Sequence, residues 1–69
     1  MENRIKDLRA NQKMTQEQLS QKVGVSRQSI VAIESGKYNP SLQLAYKIAR
    51  VFNYTIEEVF LFEEEEEKM

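Results

Sequence analysis

The sequence predicts an all-α fold, five helices packed as one small domain, and three observations carry that prediction. Apolar residues recur three and four positions apart along most of the chain, the spacing that gathers them on one face of a helix. Thr15, Ser26, Ser41 and Thr55 each stand just before such a segment, where a hydroxyl can accept an amide that the first helical turn leaves unpaired. The only glycines and the only proline, Gly24, Gly36 and Pro40, fall between the periodic segments.

Taken in order, the first helix spans about residues 3–12, with Ile5 and Leu8 inward and Arg4, Lys6, Arg9 and Lys13 around the rest. Thr15 opens the second; Gln18, three residues on, completes a capping box, and the helix runs through Leu19, Lys22 and Val23 to Gly24. Ser26 caps the third, whose buried stripe is Ile30 and Ile33, up to Gly36. Pro40 keeps Asn39 out of the helical region, so residues 37–40 form a loop before Ser41 caps the fourth helix. Its inner face is expected to be Leu42, Ala45, Ile48, Ala49 and Phe52. Thr55 and Glu58 form a second capping box for a short fifth helix carrying Ile56 and Val59.

Composition narrows the function classes. The chain has 69 residues and neither cysteine nor histidine, which leaves no disulfide, thiolate nucleophile, imidazole base or soft metal site. No catalytic residue, metal or cofactor is expected, nor any small-molecule ligand. Glu58 and the serines before helices are accounted for as caps. One core of this size supplies only about 3–5 kcal/mol, so a partner subunit is expected and the chain reads as a homodimer. No apolar run approaches the roughly 18–20 residues that span a bilayer, and the polar start MENRIKDLRANQ is unlike a signal peptide, which points to the cytoplasm.

The net charge of −1 conceals an asymmetry. Residues 1–56 hold nine Lys or Arg against four Asp or Glu, a balance of +5, whereas residues 57–69 hold one against seven, a balance of −6. A basic body permits a phosphate-bearing partner, because attraction acts through local potential.

Two short helices joined by a tight turn containing glycine, Gln16 to Ser35, form the helix-turn-helix pattern: Leu19 and Val23 face inward, Ser20 is small at the crossing, Gly24 turns, and Val25, Ile30 and Ile33 close the pocket. Through QEQLSQKVGVSRQSIVAIESGKYNPS and the following LAYKIARVFNYTIEEVF, the chain resembles the Cro/CI-type (XRE) family of phage and bacterial repressors over about residues 4–60, closest to its short stand-alone members. The resemblance implies a five-helix lambda-repressor-like DNA-binding domain, with room for a short C-terminal strand pairing with the N-terminus. It also implies a two-fold dimer on a pseudo-palindromic double-stranded DNA operator, in a prokaryotic or phage setting. Ser20 departs from the alanine most members carry, and no effector or protease domain is evident, as in a minimal repressor. The alternative from a neighbouring class is an antitoxin or anti-repressor acting mainly through protein contacts.

With Ile30 and Ile33 buried, Arg27, Gln28, Val31 and Ala32 share the opposite side of the third helix, at about residues 26–35. Arg27 can pair with guanine and Gln28 with adenine, while Val31 suits a thymine methyl group; phosphate contact alone is the plainer reading of Arg27. Family likeness places Gln16 on the DNA backbone and runs Ser35, Lys37, Tyr38 and Asn39 along the sugar-phosphate strand. Ser26 is first a cap. Arg9 and Lys13 either reach the same side or belong to a solvated face.

Phe60, Leu61 and Phe62 are expected beyond the closed core, where three large apolar side chains call for another chain. Family likeness sets the dimer seam at Tyr54, Val59, Phe60, Leu61 and Phe62; the plainer reading puts Phe60 in the domain's own core. Residues 1–62 thus form the domain, and 63–69 an acidic flexible tail that is either a solvating segment or a competitor for the basic face.

Overall fold

The structure, a computed structural model, describes residues 1–62, so the expectations for the tail lie outside the described residues. Five helices follow in order: α1 (Ile5–Asn11), α2 (Gln16–Val23), α3 (Arg27–Glu34), α4 (Leu42–Val51) and α5 (Ile56–Val59). Each expected cap is made locally. Thr15 Oγ1 accepts from the Gln18 amide at 3.0 Å while Gln18 Oε1 accepts from the Thr15 amide at 2.8 Å, and Thr55 with Glu58 repeats the pattern at 3.2 and 2.8 Å. Ser26 and Ser41 accept from the amides of Ser29 and Leu44, each at 3.2 Å. Gly24 ends α2 at φ 77°, a left-handed conformation that side chains with a Cβ resist.

The first helix begins two residues later than the periodicity implies, because residues 2–4 are drawn into backbone pairing. The Arg4 amide donates to Val59 O at 2.8 Å and the Leu61 amide to Glu2 O at 2.9 Å, forming an antiparallel bridge between Asn3 and Phe60. The pairing of the two ends is therefore a single bridge within one chain, and no strand forms among the described residues.

The core is built from Ile5 of α1, Leu19 and Val23 of α2, Ile30 and Ile33 of α3, Ala45, Ile48 and Ala49 of α4, with Phe52, Val59 and Phe60. Ser20 is buried with them, and its hydroxyl donates to Glu17 O at 2.7 Å, so a serine at the crossing leaves no unpaired polar atom.

Two expectations are corrected here. Leu42 does not belong to the inner face: it is 78% exposed. As the first residue of α4, its side chain tilts back past the helix N-terminus and over the edge of the core, while Leu44 and Val51 pack against the core instead. Phe60 does not lie beyond the closed core, and Val59 does not reach the surface as a seam residue must; they are 1% and 0% exposed, and Phe60 is the largest of the fully buried side chains. The bridge to Asn3 folds the chain back after α5 and carries the Phe60 ring inside.

Candidate nucleic-acid interface

The turn between α2 and α3 is fixed by Gly24 and by hydrogen bonds that the Gly24 and Val25 amides donate to Ser20 O at 2.9 and 3.1 Å. Ile30 and Ile33, both fully or almost fully buried, clamp α3 by its inner face. The opposite face therefore points outward: Arg27 and Gln28 are exposed, Val31 is 40% exposed and Ala32 is half-buried. Two groups able to donate or accept paired hydrogen bonds and one exposed methyl-bearing side chain sit on one helical surface, the combination that base edges in a major groove can engage.

Gln16, the first residue of α2, is half-buried, and its side-chain nitrogen donates to Glu34 Oε1 at 3.2 Å. An amide nitrogen has two hydrogens, so one remains for an anion, alongside the unpaired backbone amides of the helix start. The Ser26 hydroxyl is engaged as the α3 cap and also meets Ser29 Oγ at 3.1 Å.

Beyond α3 the chain folds back onto one carbonyl. Ala32 O accepts from the amides of Lys37 at 3.1 Å and Tyr38 at 3.3 Å and from the Ser35 hydroxyl at 3.0 Å. Lys37, Tyr38 and Asn39 are exposed on the resulting loop. Ser35 is exposed too, but its hydroxyl already donates its one hydrogen to the Ala32 carbonyl, so a phosphate oxygen must compete for it and Ser35 is a weaker donor than its neighbours.

Arg9 has neither of the roles left open for it. Its guanidinium donates from Nε and Nη2 to the two carboxylate oxygens of Glu34 and from Nη1 to Met14 O at 2.9 Å, and the two side chains are 14% and 8% exposed. Glu34 thus holds α1, the start of α2 and the end of α3 at one point. Lys13 is exposed at the end of α1 with φ 54°. Arg9 and Glu34 lie 25 residues apart, and no local spacing signals the pair.

Of the residues expected at a subunit seam, Val59 and Phe60 are core and have no surface to offer, Leu61 and Phe62 are half-buried, and Tyr54 is exposed. Tyr54 and Phe62 line an open groove with Leu42, Tyr46, Arg50 and Ile56. Tyr46 went unnoticed in the sequence and Leu42 was read as inward-facing, although their separation of four marks a second apolar stripe on α4.

A helix-turn-helix whose second helix is clamped by its inner face and presents polar side chains on its outer one defines a DNA-binding domain of a transcriptional regulator. The chain belongs to the helix-turn-helix family, in its XRE-type branch: the family model described as "Helix-turn-helix" matches residues 5–59. It is 64% identical over 66 residues to an uncharacterised HTH-type transcriptional regulator of Archaeoglobus fulgidus, covering 96% of this chain and 93% of the relative. It is 36% identical to the immunity repressor protein of Bacillus phage phi105, covering 93% of this chain and 48% of that protein, so it spans about half of that relative's length. Among solved structures, the restriction-modification controller protein C.AhdI from Aeromonas hydrophila superposes with a TM-score of 0.75 at 30% identity, over 83% of this chain and 86% of that one. No helix among the described residues is long and apolar enough to cross a membrane.

Proposed function

We propose that this transcriptional regulator is a dimeric repressor that occludes a promoter by binding a pseudo-palindromic operator. The observation that supports this reading best is the division of α3 into a buried side, Ile30 and Ile33, and an outward side carrying Arg27, Gln28 and Val31. In this mechanism Arg27 and Gln28 make paired hydrogen bonds to base edges, Val31 and Ala32 meet thymine methyl groups, and Gln16 with Lys37, Tyr38 and Asn39 holds the backbone on either side. Ser26 and Ser35 make secondary backbone contacts. Steric exclusion needs no further domain, and the likeness to a phage immunity repressor favours repression.

The test is selection from a random duplex library, with the recovered site re-measured against the Arg27→Ala, Gln28→Ala double variant. The expected site has two related half-sites about 34 Å apart. The double variant loses about 30-fold or more in affinity for it, because each paired contact is worth roughly 1–3 kcal/mol, while random duplex loses much less, only the share owed to the Arg27 charge. Recovery of no consensus, or a site bound equally by the variant, overturns base reading by α3.

The seam of this dimer is assigned to Tyr54 and Phe62 together with Leu42, Tyr46 and Ile56, the apolar groove that the monomer leaves beside α4 and α5, and to the half-buried Leu61 next to Phe62 in the chain. Leu42→Glu, at a position that contributes nothing to the core, is expected to shift the chain from dimer to monomer in sedimentation while circular dichroism stays unchanged. An undiminished dimer overturns the seam.

A further inference from the structure

The first residues of the chain are tied to the far end of the helix that faces DNA. Asn3 Nδ2 donates to Ile33 O at 2.8 Å, and the terminal ammonium of Met1 donates to Gly36 O at 3.3 Å. Asn3 Oδ1 accepts from the Ile5 amide at 3.1 Å, an Asx turn that starts α1 in place of a side-chain cap at Arg4. The backbone on both sides of Asn3 is paired with residues 59–61. The residue therefore links three elements: its side chain joins the start of α1 to the last turn of α3, and the backbone that flanks it pairs with the segment after α5.

We propose that Asn3 is a positioning residue for DNA reading: its side-chain amide holds the last turn of α3, and with it the loop from Ser35 to Asn39, in the orientation that a specific site requires. The last carbonyls of a helix lack intrahelical donors. At α3 these carbonyls anchor both the recognition surface and the loop, since Ala32 O gathers Ser35, Lys37 and Tyr38 while the next carbonyl, Ile33 O, takes Gly36 N and Asn3 Nδ2. Without the Asn3 donor, Ile33 O retains one partner, Gly36 N at 3.0 Å, and the last turn of α3, though Glu34 still anchors it to Arg9, frays more readily. Fraying costs a complex that needs α3 and the loop in fixed register, and costs little in one made by charge alone. Asn3 bears no charge and acts through Ile33 O, the Ile5 amide and the backbone pairing of residues 2–4 with residues 59–61.

The inference rests on the reading of α3 as the DNA-facing helix, and the experiment separates the two. In Asn3→Ser the hydroxyl still accepts from the Ile5 amide but ends too short to reach Ile33 O, and the net charge is unchanged. Wild type and variant are compared on the duplex recovered by selection with wild type and on random duplex, well below the variant's melting temperature. The expected result is a fall of about five- to tenfold in the ratio of specific to random affinity, the worth of one such hydrogen bond, with random-duplex affinity and its salt slope unchanged. A residue that only stabilises the fold lowers the melting temperature and leaves that ratio alone, and that result overturns the proposal. If wild type selects no preferred duplex, the DNA-reading assignment fails and this inference with it. If Asn3→Ser does not fold, wild type decides: the Asn3 side-chain amide hydrogens exchange several-fold more slowly on the selected site than on random duplex, and equal exchange on both overturns the proposal.

Discussion

Phe60→Ala is expected to abolish the cooperative unfolding transition of the monomer at 25 °C. Phe60 is 1% exposed, the largest of the fully buried side chains, and it closes the core from the segment after α5. Truncating a buried phenylalanine costs about 3–5 kcal/mol, lost transfer energy plus the cavity that remains. A single core in a chain of this length supplies about the same amount in total. Circular dichroism against temperature, at a concentration low enough to hold the monomer, reads the outcome. Phe62→Ala, at a half-buried position, is the control and keeps a clear transition. If Phe60→Ala melts like wild type and only sediments differently, Phe60 belongs to a subunit seam after all.

The second large effect is at Glu34. Glu34→Ala is expected to destabilise the domain by about 3–5 kcal/mol, because it leaves the guanidinium of Arg9 buried with only Met14 O to accept from it. Its size comes from the orphaned charge, and the net worth of the pair is smaller. The paired replacement Arg9→Met with Glu34→Met is therefore expected to recover most of the loss. Urea titration in a stabilising osmolyte measures all three proteins on one scale. A loss under about 0.5 kcal/mol for Glu34→Ala would mark the pair as a solvated surface bridge. The change also releases Gln16 from its bond to Glu34 at 3.2 Å, so the start of α2 loses the support that orients this side chain.

These predictions fall where distant parts of the chain meet, and the same division separates what was legible in the sequence from what was not. The helices, their order and most of their ends could be read directly. A cap joins residues three apart, as Thr15 does with Gln18 and Thr55 with Glu58, and a left-handed glycine such as Gly24 acts on its own backbone. Inward positions such as Leu19, Val23, Ile30 and Ile33 follow from helical period, and with them the outward position of Arg27, Gln28 and Val31. The assignment of those residues to DNA bases came from the helix-turn-helix pattern and the hydrogen-bonding chemistry of the exposed stripe, while family likeness supplied the backbone contacts.

Contacts between residues far apart in the chain leave no period to read. The periodicity of α4 includes Leu42, yet the core ends one turn short of it, and only the packed arrangement reveals where that edge falls. Phe60, Leu61 and Phe62 look alike as three apolar residues before an acidic run, and the bridge to Asn3 turns the first of them inward and leaves the others at the surface. Arg9 reads as one more cation on a basic helix until Glu34 is found beside it, 25 residues on; Asn3 reads as a polar residue before a helix until Ile33 O is found 30 residues on. The sequence by itself determined which segments are helical and which face of α3 turns outward, because these follow from hydrogen bonds and side-chain periods spanning only a few residues. Tertiary structure alone decided how residues 1–3 brace the end of α3 while residues 2–4 pair with residues 59–61, because that depends on which groups the closing of one small core brings within bonding distance.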